Sequence, residues 1–193
     1  MIYLNEDIES INVEAALRMV SAQRVAYALR YRQERDRKLS LAVYLLLLEG
    51  LEKEYGINEL PEFDFEYHGK PKIKGHSEIH FNLSHCLRAA LCVIDNQPVG
   101  CDVESVPDEL DMEVCLHCFN EKEIAGIVDS AQPTLAFTTL WTKKEAFLKL
   151  TGEGLTDNLP SLLTTPQAEK VSFETHIATD NSYVYSICRW IDS

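Results

Sequence analysis

The sequence predicts an α+β protein made of two similar halves that meet near residue 100. A long helical pattern is followed by short strand-like runs in the first half, and helix followed by strands returns in the second. The 193 residues are 46% hydrophobic and 25% charged, enough for one domain or for two small halves sharing a core. No internal repeat, low-complexity tract or long linker interrupts them, and the halves are taken as residues 1–98 and 99–193.

The first half opens with a helical pattern from Val13 to Glu54, rich in Ala, Leu, Arg and Glu and closed by Gly56. Its middle is basic, with Arg24, Arg30, Arg32, Arg35, Arg37 and Lys38. Taken alone, with Glu34 and Asp36 among them, these read as a solvated helix face. Strand-like runs follow at Phe63–Tyr67, Ile79–Ser84, Ala89–Ile94 and Val99–Glu104, and are expected to form a meander. Asp95-Asn96-Gln97-Pro98 joins the last two as a turn.

In the second half, Asn120-Glu121-Lys122-Glu123 has the spacing of a capping box, with Phe119 and Ile124 placed for a hydrophobic staple. Pro133 suits the first turn of the next helix, which runs to about Leu150 and stops at Gly152 and Gly154. Val171–Ile177 and Tyr183–Ile191, split by Thr179-Asp180-Asn181-Ser182, read as a C-terminal hairpin.

The formal charge of −13 and pI near 4.8 argue against general nucleic-acid binding, which needs a basic face. A small anionic ligand remains open, since a local basic pocket or a bound cation is enough for one. The six cysteines (86, 92, 101, 115, 118 and 188) are scattered, several in apolar runs, and read as buried reduced thiols of a cytoplasmic protein. Cys115-Leu116-His117-Cys118 lacks the second ligand pair of a zinc site and reads as packing. No secretory signal is visible, and the apolar run Leu39–Leu48 is too short to span a bilayer.

Two segments carry the chemistry. On a strand, Gly100-Cys101-Asp102-Val103-Glu104 sends Asp102 and Glu104 to one face. Two such acids repel unless they are solvated or bridged by a cation, and a hard ion such as Mg²⁺ prefers oxygen ligands. On a helix, Trp141-Thr142-Lys143-Lys144-Glu145-Ala146-Phe147-Leu148-Lys149 puts Glu145 and Lys149 one turn apart. By itself that pair is ordinary helix decoration worth about 0.3–0.5 kcal/mol. Together the segments offer three carboxylates and a lysine, a metal site for phosphate chemistry.

Phe81-Asn82-Leu83-Ser84-His85 ends an apolar strand with a hydroxyl and an imidazole, both able to donate to phosphate oxygens. The two are unsuited to a hydrolytic dyad, because adjacent strand side chains diverge and no Gly-x-Ser-x-Gly elbow is present. Gly69-Lys70-Pro71 is a turn displaying a lysine. The absence of a Walker A loop and of Gly-x-Gly-x-x-Gly removes most support for nucleotide kinase and Rossmann readings.

Taken in order, these blocks resemble the 4′-phosphopantetheinyl transferases of the Sfp type. The resemblance runs from the basic helix to the end of the Glu145 helix. It is carried by Gly69-Lys70-Pro71, Phe81-Asn82-Leu83-Ser84-His85, Gly100-Cys101-Asp102-Val103-Glu104 and Trp141-Thr142-Lys143-Lys144-Glu145 through Lys149. It implies two similar α+β halves with the active site in a cleft between them, and transfer of 4′-phosphopantetheine from coenzyme A to a serine of an apo acyl or peptidyl carrier protein. Adenosine 3′,5′-bisphosphate would leave.

By that resemblance Asp102, Glu104 and Glu145 hold Mg²⁺, Glu145 is the base, and Lys149, Ser84 and His85 contact phosphates. Lys70 and Pro71 lie toward the adenosine end, and Arg24 and Ser40 are further coenzyme contacts. Expected partners are coenzyme A and the carrier, with no nucleic acid and no membrane, for a monomeric cytoplasmic enzyme. A non-catalytic coenzyme A or carrier-binding module and a metal-dependent phosphodiesterase are the alternatives. Departures from the family pattern are Cys101 in place of an aliphatic residue and His68 as an extra residue before the Gly-Lys-Pro turn.

Overall fold

The computed structural model describes residues 1–65, 69–154 and 158–191, and the chain divides into two units, Met1–Val99 and Gly100–Ser193. The architecture is α+β in each. The first unit holds β1 (Ile2–Asn5), α1 (Val13–Met19), α2 (Ala22–Ala28), α3 (Glu34–Tyr55), β2 (Phe63–Phe65), β3 (Pro71–Ile73), β4 (His80–His85) and β5 (Ala90–Asp95).

The helical stretch expected from Val13 to Glu54 is broken twice, into α1, α2 and α3. The Ser21 hydroxyl accepts from the Arg24 amide and starts α2 afresh, as Asn12 starts α1 by accepting from the Ala15 amide. Such side chains offer the backbone a local partner in place of a continuing helix. α3 runs unbroken to Gly56, whose φ of 67° closes it in the left-handed region.

Only two of the four runs expected to form a meander are neighbours. β5 is the middle strand of a three-stranded antiparallel sheet, between β1 and β4. Both edges of β5 are thereby taken, Cys92 facing Tyr3 on one side and Leu83 on the other, so the run at Val99 cannot continue the sheet. β1, which the sequence pattern did not signal, occupies that edge. Phe63–Phe65 instead pairs with β3 in a separate ribbon, and the remainder of that expected strand, Glu66 and Tyr67, lies outside the described residues. Leu39, Val43, Leu46, Leu47 and Leu51 of α3 pack on Phe81, Cys92 and Ile94 to form the core of this unit. Gly50 lets the helix close in, since a Cβ there would overlap Ile94 Cδ1 and stand 2.9 Å from the Tyr3 ring.

The second unit is built from β6 (Val99–Ser105, its first residue at the boundary), α4 (Met112–Cys118), α5 (Glu121–Val128), α6 (Pro133–Thr151), β7 (Val171–Ile177) and β8 (Tyr183–Trp190). The C-terminal hairpin forms as the pattern predicts, with Val171 opposite Trp190 and Ile177 opposite Val184, and β8 lies between β6 and β7. The capping box at Asn120 and Glu123 is complete, and α6 has Pro133 in its first turn and ends at Gly152. α4, capped by Asp111, was not anticipated; it buries Cys115 and Cys118 as packing residues. All six cysteines are buried, and none of them is in a disulfide.

α6 is bound to this sheet in two ways. Thr142 shares a 2.8 Å hydrogen bond with Ser186 on β8, and Ser186 a 2.9 Å one with Thr175 on β7. At Gly100 the helix lies directly on β6, because a Cβ would overlap the Ala146 carbonyl oxygen and the Leu150 amide nitrogen. At Gly50 the obstacles are mobile side-chain ends; at Gly100 they are helix backbone. Gly50→Ala is expected to cost about 1–3 kcal/mol in denaturant unfolding of the full chain, and Gly100→Ala more than Gly50→Ala. Equal losses would contradict the close approach at Gly100.

Candidate active site

The alternation of β6 puts Asp102 and Glu104 on one side, and the absent side chain at Gly100 lets α6 bring Glu145 and Lys149 up to them. Asp102 is buried, Glu104 and Glu145 half-buried. The Lys149 ammonium, half-buried, reaches across to donate to Asp102 Oδ1 at 2.6 Å. The sequence had offered Glu145, one turn away, as its partner; the structure adds a stronger link from helix to strand. The Trp141 side chain hydrogen-bonds the Glu104 carboxylate from the preceding turn of α6.

The electrostatics follow from this crowding. Burial, with Asp102 and Glu145 adding to it, pushes the Glu104 carboxyl up to about 7, against the opposing pull of Lys149 and the Trp141 bond. Glu145 is also raised, by burial and then by Asp102, while Lys149 works the other way. Burial disfavours the charge on Lys149, but Asp102, Cys101 and Glu145 outweigh it and raise its pKa. Four charged groups thus share one partly dry site with a surplus of negative charge. Among the described residues, no three His, Cys, Asp or Glu side chains form a ready-made metal cluster as they stand.

The sequence reading passed over Lys144, quoted only as part of its motif. It is fully buried and makes three hydrogen bonds, to the Cys118 carbonyl at 2.9 Å, the Leu159 carbonyl at 2.7 Å and Glu123 Oε2 at 2.8 Å. Glu123 Oε2 also accepts the Asn120 amide, and the Asn120 side-chain amide donates to the Pro160 carbonyl. One ammonium therefore joins α6 to the end of α4, the start of α5 and the turn at Leu159–Thr164. The sequence signal was a lysine inside an apolar helical stretch: such a charge has to find acceptors.

In the first unit, Ser84 is buried on β4 and His85 exposed at its end. Lys70 donates to the Val99 carbonyl at 3.1 Å, and Pro71 opens β3 after Gly69, whose φ is 84°. His68 lies outside the described residues. Arg24 and Ser40, sixteen residues apart, are brought together: Arg24 Nη2 donates to the Ser40 carbonyl and, at 3.0 Å, to its hydroxyl. Its guanidinium lies over the Tyr27 and Tyr44 rings at 4.9 and 5.2 Å. Arg24 borders a cavity of about 340 Å³ walled by Tyr27, Tyr44, Phe63, Phe81 and Pro71.

Residues 98–189, which span β6, α6 and the hairpin, match the family described as the 4′-phosphopantetheinyl transferase superfamily. The chain is 27% identical over 163 residues to the 4′-phosphopantetheinyl transferase Sfp of Bacillus subtilis strain 168, covering 83% of this chain and 72% of that protein. A second Bacillus subtilis 4′-phosphopantetheinyl transferase is 25% identical over 97% of this chain and 89% of its own length. The transferase gsp of Aneurinibacillus migulanus is 34% identical over 70% of this chain and 57% of its own. The chain carries a 4′-phosphopantetheinyl transferase superfamily region at residues 98–189 and is similar over most of its length to transferases of that name. It is of the Sfp type, its fold is that of the superfamily, and phosphopantetheinyl transfer is its activity. No described helix of this transferase is long and apolar enough to cross a membrane.

Glu104 gives this transferase a pH signature. Its carboxyl holds a proton up to about 7 when folded but only to its ordinary 4.5 when unfolded. The folded state therefore binds the extra proton between those values, and stability falls as pH rises through that window and stays low above it, by about 1–3 kcal/mol. Glu104→Gln removes the ionisation and keeps an acceptor for Trp141. In buffer with chelator the variant is expected to melt higher than the parent at pH 8, with the gap closing at pH 5; a gap independent of pH would contradict this.

Proposed function

We propose that this enzyme transfers 4′-phosphopantetheine from coenzyme A to a serine of an apo acyl or peptidyl carrier protein, with Mg²⁺. The observation that carries the reading is the group of Asp102, Glu104, Glu145 and Lys149 where α6 crosses β6, within the stretch that matches the family. Its donors are all carboxylate oxygens, and Asp102 raises the pKa of both Glu104 and Glu145, which suits a hard divalent cation. Mg²⁺ held by Asp102, Glu104 and Glu145 would offset the charge of the coenzyme's pyrophosphate.

The chain's own groups supply the rest. The carrier serine oxygen forms a new bond to the β-phosphorus of coenzyme A as the anhydride bond breaks and adenosine 3′,5′-bisphosphate leaves. The serine proton passes to Glu145, whose raised pKa suits a general base near neutral pH. Lys149 and His85 stabilise the charge that moves to the leaving group, and Ser84 donates to a phosphate oxygen. Arg24, Ser40, Lys70 and Pro71 contact the adenosine end of the coenzyme, and the aromatic cavity beside Arg24 and Pro71 is wide enough for a planar base.

The test is incubation with coenzyme A, Mg²⁺ and a panel of fatty-acid, polyketide and peptidyl apo-carriers, read by mass spectrometry. A single phosphopantetheine on at least one carrier is expected, lost on chelation. Glu145→Gln is expected to lower transfer by a factor of about 10²–10⁴ while circular dichroism stays that of the parent. No addition to any carrier, release of bisphosphate without an acceptor, or a fully active Glu145→Gln would overturn the reading.

A further inference from the structure

We propose that an arginine-rich face of the N-terminal unit docks the acidic surface of the carrier protein; this rests on the transferase reading above. Residues 18–38 carry seven bases against two acids, a local net of +5 in a chain of −13. Four of the seven make a hydrogen bond or ion pair within the unit, Arg35 among them through a backbone carbonyl. Arg24 bonds Ser40, Arg37 Nε donates to the Tyr31 carbonyl at 2.9 Å, and Lys38 pairs with Glu9 at 3.0 Å. Arg30, Arg32 and Arg35 are exposed, and among the described residues none forms a salt bridge; the same holds for exposed Arg88. Elsewhere on the surface Lys53, Lys74 and Arg189 each hold a carboxylate, while exposed Arg18, Lys122 and Lys170, which stand apart from one another in the chain, form no salt bridge among the described residues. With 31 acids in the sequence, four exposed arginines without one form a positive face kept open.

Arg35 and Arg88 are brought close together, and Arg30 and Arg32 precede Arg35 by five and three residues. Arg35 Nη2 donates to the Leu87 carbonyl at 3.3 Å, which sets the turn between β4 and β5, and with it Arg88, against the start of α3. Arg30 lies over the Tyr27 ring at 5.8 Å, and Tyr27 packs edge-on to Tyr31. Between the arginines, Leu29 and Leu87 are 50% and 54% exposed. Exposed apolar side chains among arginines have the make-up of a protein-binding surface, where arginine and tyrosine carry much of the affinity. The partner such a face fits is a protein surface bearing several carboxylates around an apolar contact. The overall negative charge speaks against a nucleic acid. Arg88 follows His85 by three residues, so a carrier seated here stands beside the β4 end where phosphate contacts are proposed.

The test compares the parent with a variant carrying Arg30→Ser, Arg32→Ser, Arg35→Ser and Arg88→Ser, both checked for an unchanged melting temperature. Steady-state transfer is measured against an acidic carrier and against coenzyme A at several salt concentrations. The variant is expected to raise the KM for the carrier about tenfold, to leave kcat and the KM for coenzyme A within about twofold, and to flatten the salt dependence of kcat/KM. Arg→Lys at the same four positions is expected to restore most of the carrier affinity. An unchanged carrier KM, an equal rise for both substrates, or loss of binding to RNA or anionic vesicles in place of the carrier would overturn the surface while leaving the transferase reading intact. If the parent transfers to no carrier at all, the transferase reading falls and the docking surface falls with it.

Discussion

The second unit depends on one close contact, the crossing of α6 over β6 at Gly100. Because no side chain separates the Gly100 backbone from Ala146 and Leu150, the helix lies against the strand itself. At that separation Lys149 reaches Asp102 at 2.6 Å, and Glu104 and Glu145, raised first by burial, are raised further by Asp102. The glycine of the Gly-x-Asp-x-Glu block is thus a spacing element. It converts two separate sequence motifs into one electrostatic group.

Two lysines of α6 divide the work. Five residues apart on a helix, Lys144 and Lys149 leave it in directions about 140° apart. Lys144 turns away from the acids into a closed shell of two carbonyls and Glu123, and so holds α4, α5 and the Leu159–Thr164 turn to the helix. Lys149 and Glu145, one turn apart, share the other face and meet β6. The helix is fixed on one side by a buried, hydrogen-bonded cation, and on the other it presents a half-buried cation beside surplus carboxylates.

How much of this was legible follows from where the information sits. The capping box at Asn120, the glycine stop at Gly152 and the C-terminal hairpin are local, and their residues announce them. The order of strands is not local. Nothing in Val99–Ser105 says that β5 already has a neighbour on each edge, or that Ile2–Asn5 takes one of them. The breaks between α1, α2 and α3 rest on single cap residues that a run of good helix formers conceals. The site acids could be named from their spacing, because a face of a strand and a face of a helix are periodic. Their pairing could not: Lys149 bonds an acid forty-seven positions away, and Lys144 became visible only once its acceptors were in place.

The central claim is that the crossing gathers carboxylates whose mutual repulsion a divalent cation relieves. It is tested most directly by carbon-13 NMR titration of the Glu104 carboxyl in the metal-free protein and again with Mg²⁺. The account predicts a titration midpoint at about 7 without metal, falling well below that when Mg²⁺ is added. A midpoint near the ordinary 4.5 in the metal-free protein, or one that Mg²⁺ leaves unmoved, would contradict it.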